Sequence, residues 1–425
     1  MNLNVNIKPS QDNDLVKKLT NGFFYFGSSV VALVFSLVTF PIYSTYLSAE
    51  DFGLIGYFNS LKGFLVPLFN LSLSNFFLMR FFNQDEKRNK KDLFNILFYL
   101  SINNLIISII SLFIGFYYFK TFEVSYPFFP FSIFILLSAY FEPYKMFLLQ
   151  QYRIRREGVK YFAFAVFAPV ANALFSVFLI VFLDLGVLGR MAGISLSTVA
   201  LGSTCLIFIK KFVSPNYSLN EFKEKIVTIL PLVFAGYFYI PIETFDRIFL
   251  EQLKMPETLG LYSIGLQISG FFLIAAVSLF KAFEPSIFQY IIQQNKEALK
   301  KEIIQYSSIL FIGYSAFFFL IEPMISLLTR GKFLEAVYFA KYLSVAKLIS
   351  AISQIVSAII LARQKVKEKS YIVYSMSLCS IILYPVLIKF YGFNGAVAGR
   401  IICPLIGLLV SIFIIKKVGI FFHEK

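Results

Sequence analysis

The sequence predicts an all-α integral membrane protein, with twelve transmembrane helices in two six-helix lobes related by a pseudo-twofold axis and both termini cytoplasmic. Three observations predict it. Apolar residues make up 58% of the 425 positions and charged residues 15%, against about 25% charged in an average soluble protein. The apolar residues fall into runs long enough to cross a bilayer. Two stretches of the first half also recur in the second at nearly the same separation.

A helix rises about 1.5 Å per residue, so roughly 20 predominantly apolar residues cover ~30 Å of hydrocarbon, where every backbone amide must be paired internally. Twelve runs qualify: residues 20–46, 54–79, 93–118, 127–149, 161–183, 187–209, 226–250, 258–282, 303–328, 337–362, 371–389 and 393–415. The first is too long and too poorly flanked to be a cleaved signal peptide, which leaves 1–19 as a cytoplasmic arm. The lobes are then 20–212 and 226–415, joined by a cytoplasmic linker at 213–225 and followed by a cytoplasmic tail at 416–425. Pro231 and Pro241 should kink span seven.

Orientation follows from Lys and Arg, which stay on the cytoplasmic side of short loops. With the N-terminus inside, twenty-eight of the 39 Lys and Arg fall in seven cytoplasmic segments. Only Lys120, Arg190, Lys254, Arg330, Lys332 and Lys389 fall outside. That dispersal reads the net charge of +15 as a topology signal and argues against nucleic acid as a partner. Cys205, Cys379 and Cys403 lie within spans at no metal-ligand spacing, and His423 is the only histidine. There is no Ser-His-Asp set and no phosphate-binding glycine loop, so no catalytic residue, metal or cofactor is expected.

The repeat aligns Ser48–Leu65 with Met255–Phe272 at an offset of 207, matching Glu50 with Glu257, Gly53 with Gly260, Leu54 with Leu261, Gly63 with Gly270 and Phe64 with Phe271. A second pair, "GVLGRMAG" from Gly186 and "GFNGAVAG" from Gly392, shares G-x-x-G-x-x-A-G at an offset of 206. Because six is even, both halves enter the membrane in the same sense, and a substrate path would lie between them. The glycine ladders Gly189/Gly193 and Gly395/Gly399 are small-xxx-small motifs, expected to pack helices within each lobe.

With those residues in view, "YLSAEDFGLIGYFNS", "FDRIFLEQLKMPETLGLYSIGLQISGFF", "AFEPSIF", "GVLG" and "GFNGAVAG" resemble the polysaccharide flippases of the multidrug/oligosaccharidyl-lipid/polysaccharide exporter superfamily. The resemblance implies a MATE-like V-shaped transporter with a cationic central cavity, and alternating access driven by a proton or sodium gradient. It implies a lipid-linked oligosaccharide (undecaprenyl diphosphate glycan) as substrate, a bacterial cytoplasmic membrane location, and a polysaccharide polymerase and chain-length proteins as partners. Two other readings compete. A drug or metabolite antiporter of the same superfamily commonly carries an acid in its first span, whereas residues 20–46 hold no charged side chain. A membrane polysaccharide polymerase or ligase typically has a sizeable external loop for catalysis, which the span assignment does not provide.

Ionisable residues inside spans are costly and are candidate functional residues. The embedded cations are Lys62, Arg247, Lys341, Lys347 and Arg400; the embedded acids are Glu142, Glu243, Asp246 and Glu322. Lys62 and Lys347 fall about 15 Å deep, near the midplane. Asn59, Lys62, Gly63, Asn70 and Ser74 share one face of span two at 100° per residue and should meet water or substrate. Lys62, Asn59, Asn70, Arg247, Lys347 and Arg400 are therefore the candidates for contact with an anionic headgroup, and Glu142, Glu243, Asp246 and Glu322 for ion coupling. Structural pairing competes with each role: Glu243 is placed to neutralise Arg247 one turn on, Lys145 to neutralise Glu142, and Lys341 to snorkel outward.

Overall fold

The computed structural model describes residues 11–81, 84–214, 236–363 and 365–417. Its helices are α1 Gln11–Tyr46, α2 Ala49–Asn70, α3 Leu73–Phe81, α4 Glu86–Thr121, α5 Phe131–Ile154, α6 Gly158–Val177, α7 Gly186–Ile209, α8 Ile240–Glu251, α9 Pro256–Ile292, α10 Lys296–Thr329, α11 Ala336–Ala362 and α12 Val366–Lys417. No strand occurs among the described residues. Among the described residues ten stretches are long and apolar enough to cross a membrane. One of them, in α12, holds two crossings, because the backbone leaves the helical region at Gly392 (φ 56°, ψ −132°). The described part of span seven is α8; residues 226–235, Pro231, the first ten residues, most of the linker and most of the tail lie outside the described residues.

Local chemistry sets the helix ends. A capping box starts α2: Ser48 Oγ accepts from the Asp51 amide at 3.1 Å while Asp51 Oδ2 accepts from the Ser48 amide at 2.8 Å, pairing two otherwise orphaned donors. Span two is not one helix. Leu71 and Ser72 adopt left-handed conformations (φ 47° and 50°) four and five residues after Pro67, and the chain restarts as α3. Ser74 therefore leaves the polar face expected of span two; its carbonyl accepts from Gln150 Nε2 at 2.8 Å instead. Span seven is interrupted at Phe238–Tyr239, immediately before α8, where Pro241 occupies the first turn and needs no amide partner.

In the first half α5 packs on α7, and α6 on both α1 and α7; in the second, α11 packs on α9 and α12, and α12 on α8. Both glycine ladders serve that packing. A Cβ on Gly189 or Gly193 would strike the backbone at Leu179 or Ser176, and one on Gly395 or Gly399 would strike Leu387 or Tyr384. The halves meet where α2 crosses α9 and α8, and where α1 meets α10. At the first crossing the repeat-matched Gly53 and Gly260 face each other, and a Cβ on either would lie 3.1 Å from the other's amide nitrogen.

Two lysines tie the halves at helix ends. Lys254 Nζ donates to the carbonyls of Phe122 (3.2 Å) and Glu123 (2.5 Å) at the end of α4, and to Glu251 at 3.0 Å. The same Glu251 carboxylate accepts from the Ser125 amide at 2.7 Å. Lys332 Nζ donates to the carbonyls of Leu47 (2.7 Å) and Ser44 (3.3 Å) at the end of α1. Each ammonium thus satisfies carbonyls that a helix terminus leaves unpaired.

Candidate functional site: a cationic cavity between the halves

A cavity of about 380 Å³ lies where α1, α2 and α7 of the first half face α8, α9, α11 and α12 of the second. Its charged lining is Arg190, Arg247, Lys347 and Arg400 against a single carboxylate, Glu243; Asn59 and Gln267 add neutral polar groups. No other large concavity among the described residues gathers several cations: one of about 470 Å³ holds Lys332 with Glu257 and Glu335. One of about 410 Å³, lined by Phe58, Leu65, Ile110, Phe128 and Phe245 among others, contains no charged residue.

The four cations are held in different ways. Arg400, 5% exposed, makes a two-pronged pair with fully buried Asp246: Nε to Oδ2 at 2.7 Å and Nη2 to Oδ1 at 3.0 Å. Tyr262 also donates to Asp246 Oδ2, at 2.6 Å. Arg400 then reaches Glu243 twice, Nη1 to the carboxylate at 3.2 Å and Nη2 to the backbone carbonyl at 2.8 Å. Arg247 donates to the carbonyls of Gly56 (3.3 Å) and Glu243 (3.0 Å), and its Nε lies 4.0 Å from Asp246 Oδ1.

Arg190 is held entirely by neutral groups: Nη1 donates to Asn172 Oδ1 at 2.7 Å, Ser176 Oγ at 2.8 Å and Tyr43 Oη at 3.2 Å. Its guanidinium carbon sits 4.1 Å from the Tyr43 ring centroid, a cation–π contact. Among the described residues no carboxylate pairs with it. Lys347 makes neither a hydrogen bond nor an ion pair with any described residue, although Arg400 and Glu243 lie within electrostatic range. The exposed side chains of Asn59 and Gln267 are likewise unbonded within the described protein.

Of the residues singled out from the sequence, Asn59, Arg247, Lys347, Arg400 and Glu243 line this cavity, with Asp246 directly behind them. Lys62 and Asn70 do not. Lys62 faces Glu142 at 3.9 Å, and Glu142 also bonds Lys145 at 2.5 Å, inside the first half. Asn70, the last residue of α2, lies against Met146 Sδ at 3.8 Å. Glu322 pairs with Lys341 at 3.1 Å between α10 and α11. The expected Glu243–Arg247 charge pair does not form among the described residues: Arg247 reaches only the Glu243 backbone carbonyl, its nearest carboxylate is Asp246, and the Glu243 carboxylate is directed at Arg400.

The charge count puts Arg190 in an external loop, whereas the structure places it inside α7, lining the cavity. The signal against that was its position, three residues inside the span beginning at 187, on the "GVLGRMAG" turn. Gln267, Ser263 and Tyr43 carry no charge and gave no comparable signal. Among the described residues no group of three His, Cys, Asp or Glu could hold a metal ion.

This architecture is an all-helical bundle with membrane-length apolar helices and a polar cavity between its two halves. Comparison of the structure with solved structures bears on which fold. The "Lipid II flippase MurJ, inward closed conformation" superposes with a TM-score of 0.74 at 16% identity, covering 95% of this chain and 89% of that one. An inward-facing multidrug resistance MATE family transporter of the MOP superfamily gives 0.70 at 14% identity, over 92% and 99%. A MOP superfamily transporter from Pyrococcus furiosus, described as having a binding pocket of reverse polarity that suggests a different function, gives 0.59 at 14% identity, over 92% and 95%. No family model matches the chain. No curated protein matches it either. The protein therefore has the MATE-like fold of MOP-superfamily transporters and is a multi-pass membrane protein.

Proposed function

We propose that the protein is a flippase that moves undecaprenyl-diphosphate-linked oligosaccharides across the bacterial cytoplasmic membrane for cell-surface polysaccharide assembly. In this reading residues 20–212 and 226–415 act as two lobes that open alternately to either side, and the cavity carries the charged headgroup. One observation carries the reading: two of the four cavity cations, Arg190 and Lys347, come from opposite halves and have no carboxylate partner among the described residues. An unneutralised cation inside a membrane protein is costly, and a diphosphate, with about two negative charges and several acceptor oxygens, offers the charge-assisted hydrogen bonds that offset the cost. Arg247, Asn59 and Gln267 add donors on the same wall, while Arg400, held from behind by Asp246, presents Nη1 beside the Glu243 carboxylate.

Of the four candidate coupling acids, Glu142 and Glu322 pair away from the cavity and Asp246 is buried behind it, which leaves Glu243, paired with Arg400 but exposed, as the acid that meets the cavity contents. A polymerase and chain-length proteins would use the exported product. A cation-selective drug antiporter fits less well, since its cavity would hold positive ligands among four positive side chains. The test is flipping of a fluorescent polyprenyl-diphosphate glycan in proteoliposomes. Arg190→Met and Lys347→Met should each reduce the rate at least about ten-fold, a loss of ~1.4 kcal/mol of interaction, while Lys62→Met, away from the cavity, should reduce it less. Transport of an organic cation by the wild type, with none of the diphosphate lipid, would overturn the proposal.

A further inference from the structure

Glu243 is the only carboxylate lining the cavity among the described residues, and its side chain is 61% accessible. Its Oε2 rests 3.2 Å from Arg400 Nη1, yet Arg400 does not depend on it. Both prongs of Asp246, at 2.7 and 3.0 Å, neutralise that guanidinium from behind, and the Glu243 backbone carbonyl holds Nη2 at 2.8 Å whatever the side chain does. The Glu243 carboxylate can therefore swing away without leaving a buried charge unpaired. While in place, it puts a negative charge beside the cations that an anionic ligand would use.

Resting on the reading of this cavity as an anion site, we infer that Glu243 is a resident counter-anion, which an incoming phosphate group must displace from Arg400. Being tethered, it competes at a high effective concentration. A ligand with one negative charge exchanges one anion for another and gains little. A diphosphate brings about two charges and can engage Arg190 and Lys347 as well, so the resident carboxylate acts as a threshold against singly charged anions.

The experiment is calorimetric titration of the purified full-length protein, at a mildly acidic pH of about 5.5 where inorganic phosphate is singly and inorganic pyrophosphate doubly charged, with each of the two anions. Wild type should bind pyrophosphate more tightly than phosphate. Glu243→Gln should tighten phosphate binding about ten-fold and narrow the difference between the two probes, and Glu243→Asp, which keeps the charge, should stay within about three-fold of wild type. Unchanged or weaker phosphate binding by Glu243→Gln overturns the inference, as does equal tightening by Glu322→Gln, which would mark a general field effect. Should Glu243→Gln fail to fold, Glu243→Ala replaces it; failure of both would show the carboxylate to be structural and overturn the inference. Absence of binding by either probe to every folded variant instead overturns the anion-site reading itself, so the two failures are distinguishable.

Discussion

The Asp246–Arg400 pair allows a stability prediction worked from geometry. Asp246 is fully buried and Arg400 nearly so, joined by two charge-assisted bonds of 2.7 and 3.0 Å. Asp246→Asn preserves shape and one acceptor but leaves the guanidinium with only the exposed Glu243 carboxylate for compensation. Breaking a buried pair from one side costs about 3–5 kcal/mol, chiefly because a charge is left unpaired; replacing both partners is far less costly. Glu243 offsets part of the loss, so about 3 kcal/mol is expected for Asp246→Asn. Arg400→Met leaves Asp246 with Tyr262 and a distant Arg247, and should cost a similar amount. The double variant should be more stable than the sum of the singles implies by about 2 kcal/mol, well above the ~0.5 kcal/mol scatter of independent sites. Reversible unfolding of all four proteins in detergent micelles measures this. Singles that add within that scatter would show that the pair is not energetically coupled and would refute the reasoning.

Three further outcomes follow from particular contacts. Gly260→Ala should disrupt the crossing of α2 and α9, since its Cβ would collide with the Ala49 carbonyl; overpacking of this kind costs about 1–3 kcal/mol, measurable as a lower unfolding midpoint, whereas Gly270→Ala, with open space around it, should be neutral. Combined Lys254→Met and Lys332→Met removes both ties, and a cysteine introduced near the end of α1 should then be alkylated faster in detergent-solubilised protein; an unchanged rate would show that the ties do not hold the halves together. Glu142→Gln leaves Lys62 and Lys145 without their shared acid and should lower stability, with Lys62→Met in the same background restoring part of it; no restoration would dismiss the pairing.

The fold was legible because its information lies in features a single sequence carries: run length gave the spans, and the glycine-anchored repeat the two halves. The glycine signal went further than its usual value, for Gly53 and Gly260, matched at an offset of 207, turn out to face each other across the crossing. Helix breaks were less legible. Leu71 and Ser72 take left-handed conformations that nothing in their residue types favours, and that turn moved Ser74 off the polar face.

The site was legible where depth sufficed and illegible where direction mattered. Depth counted from the span ends puts Lys62 and Lys347 alike near the midplane, and only packing sends the first to Glu142 and the second to the cavity. Arg190 fails for a further physical reason. A cation near a helix end serves equally as a loop anchor or as a site residue, and the count that fixed topology absorbed it as an anchor. Its three neutral acceptors, Tyr43, Asn172 and Ser176, come from helices 147, 18 and 14 residues away, so no local pattern could announce them. That arrangement is also what leaves its charge uncancelled. Had an acid taken the place of Asn172, Arg190 would have joined Lys62 as a structural pair, and the cavity would have lost one of its two unpaired cations.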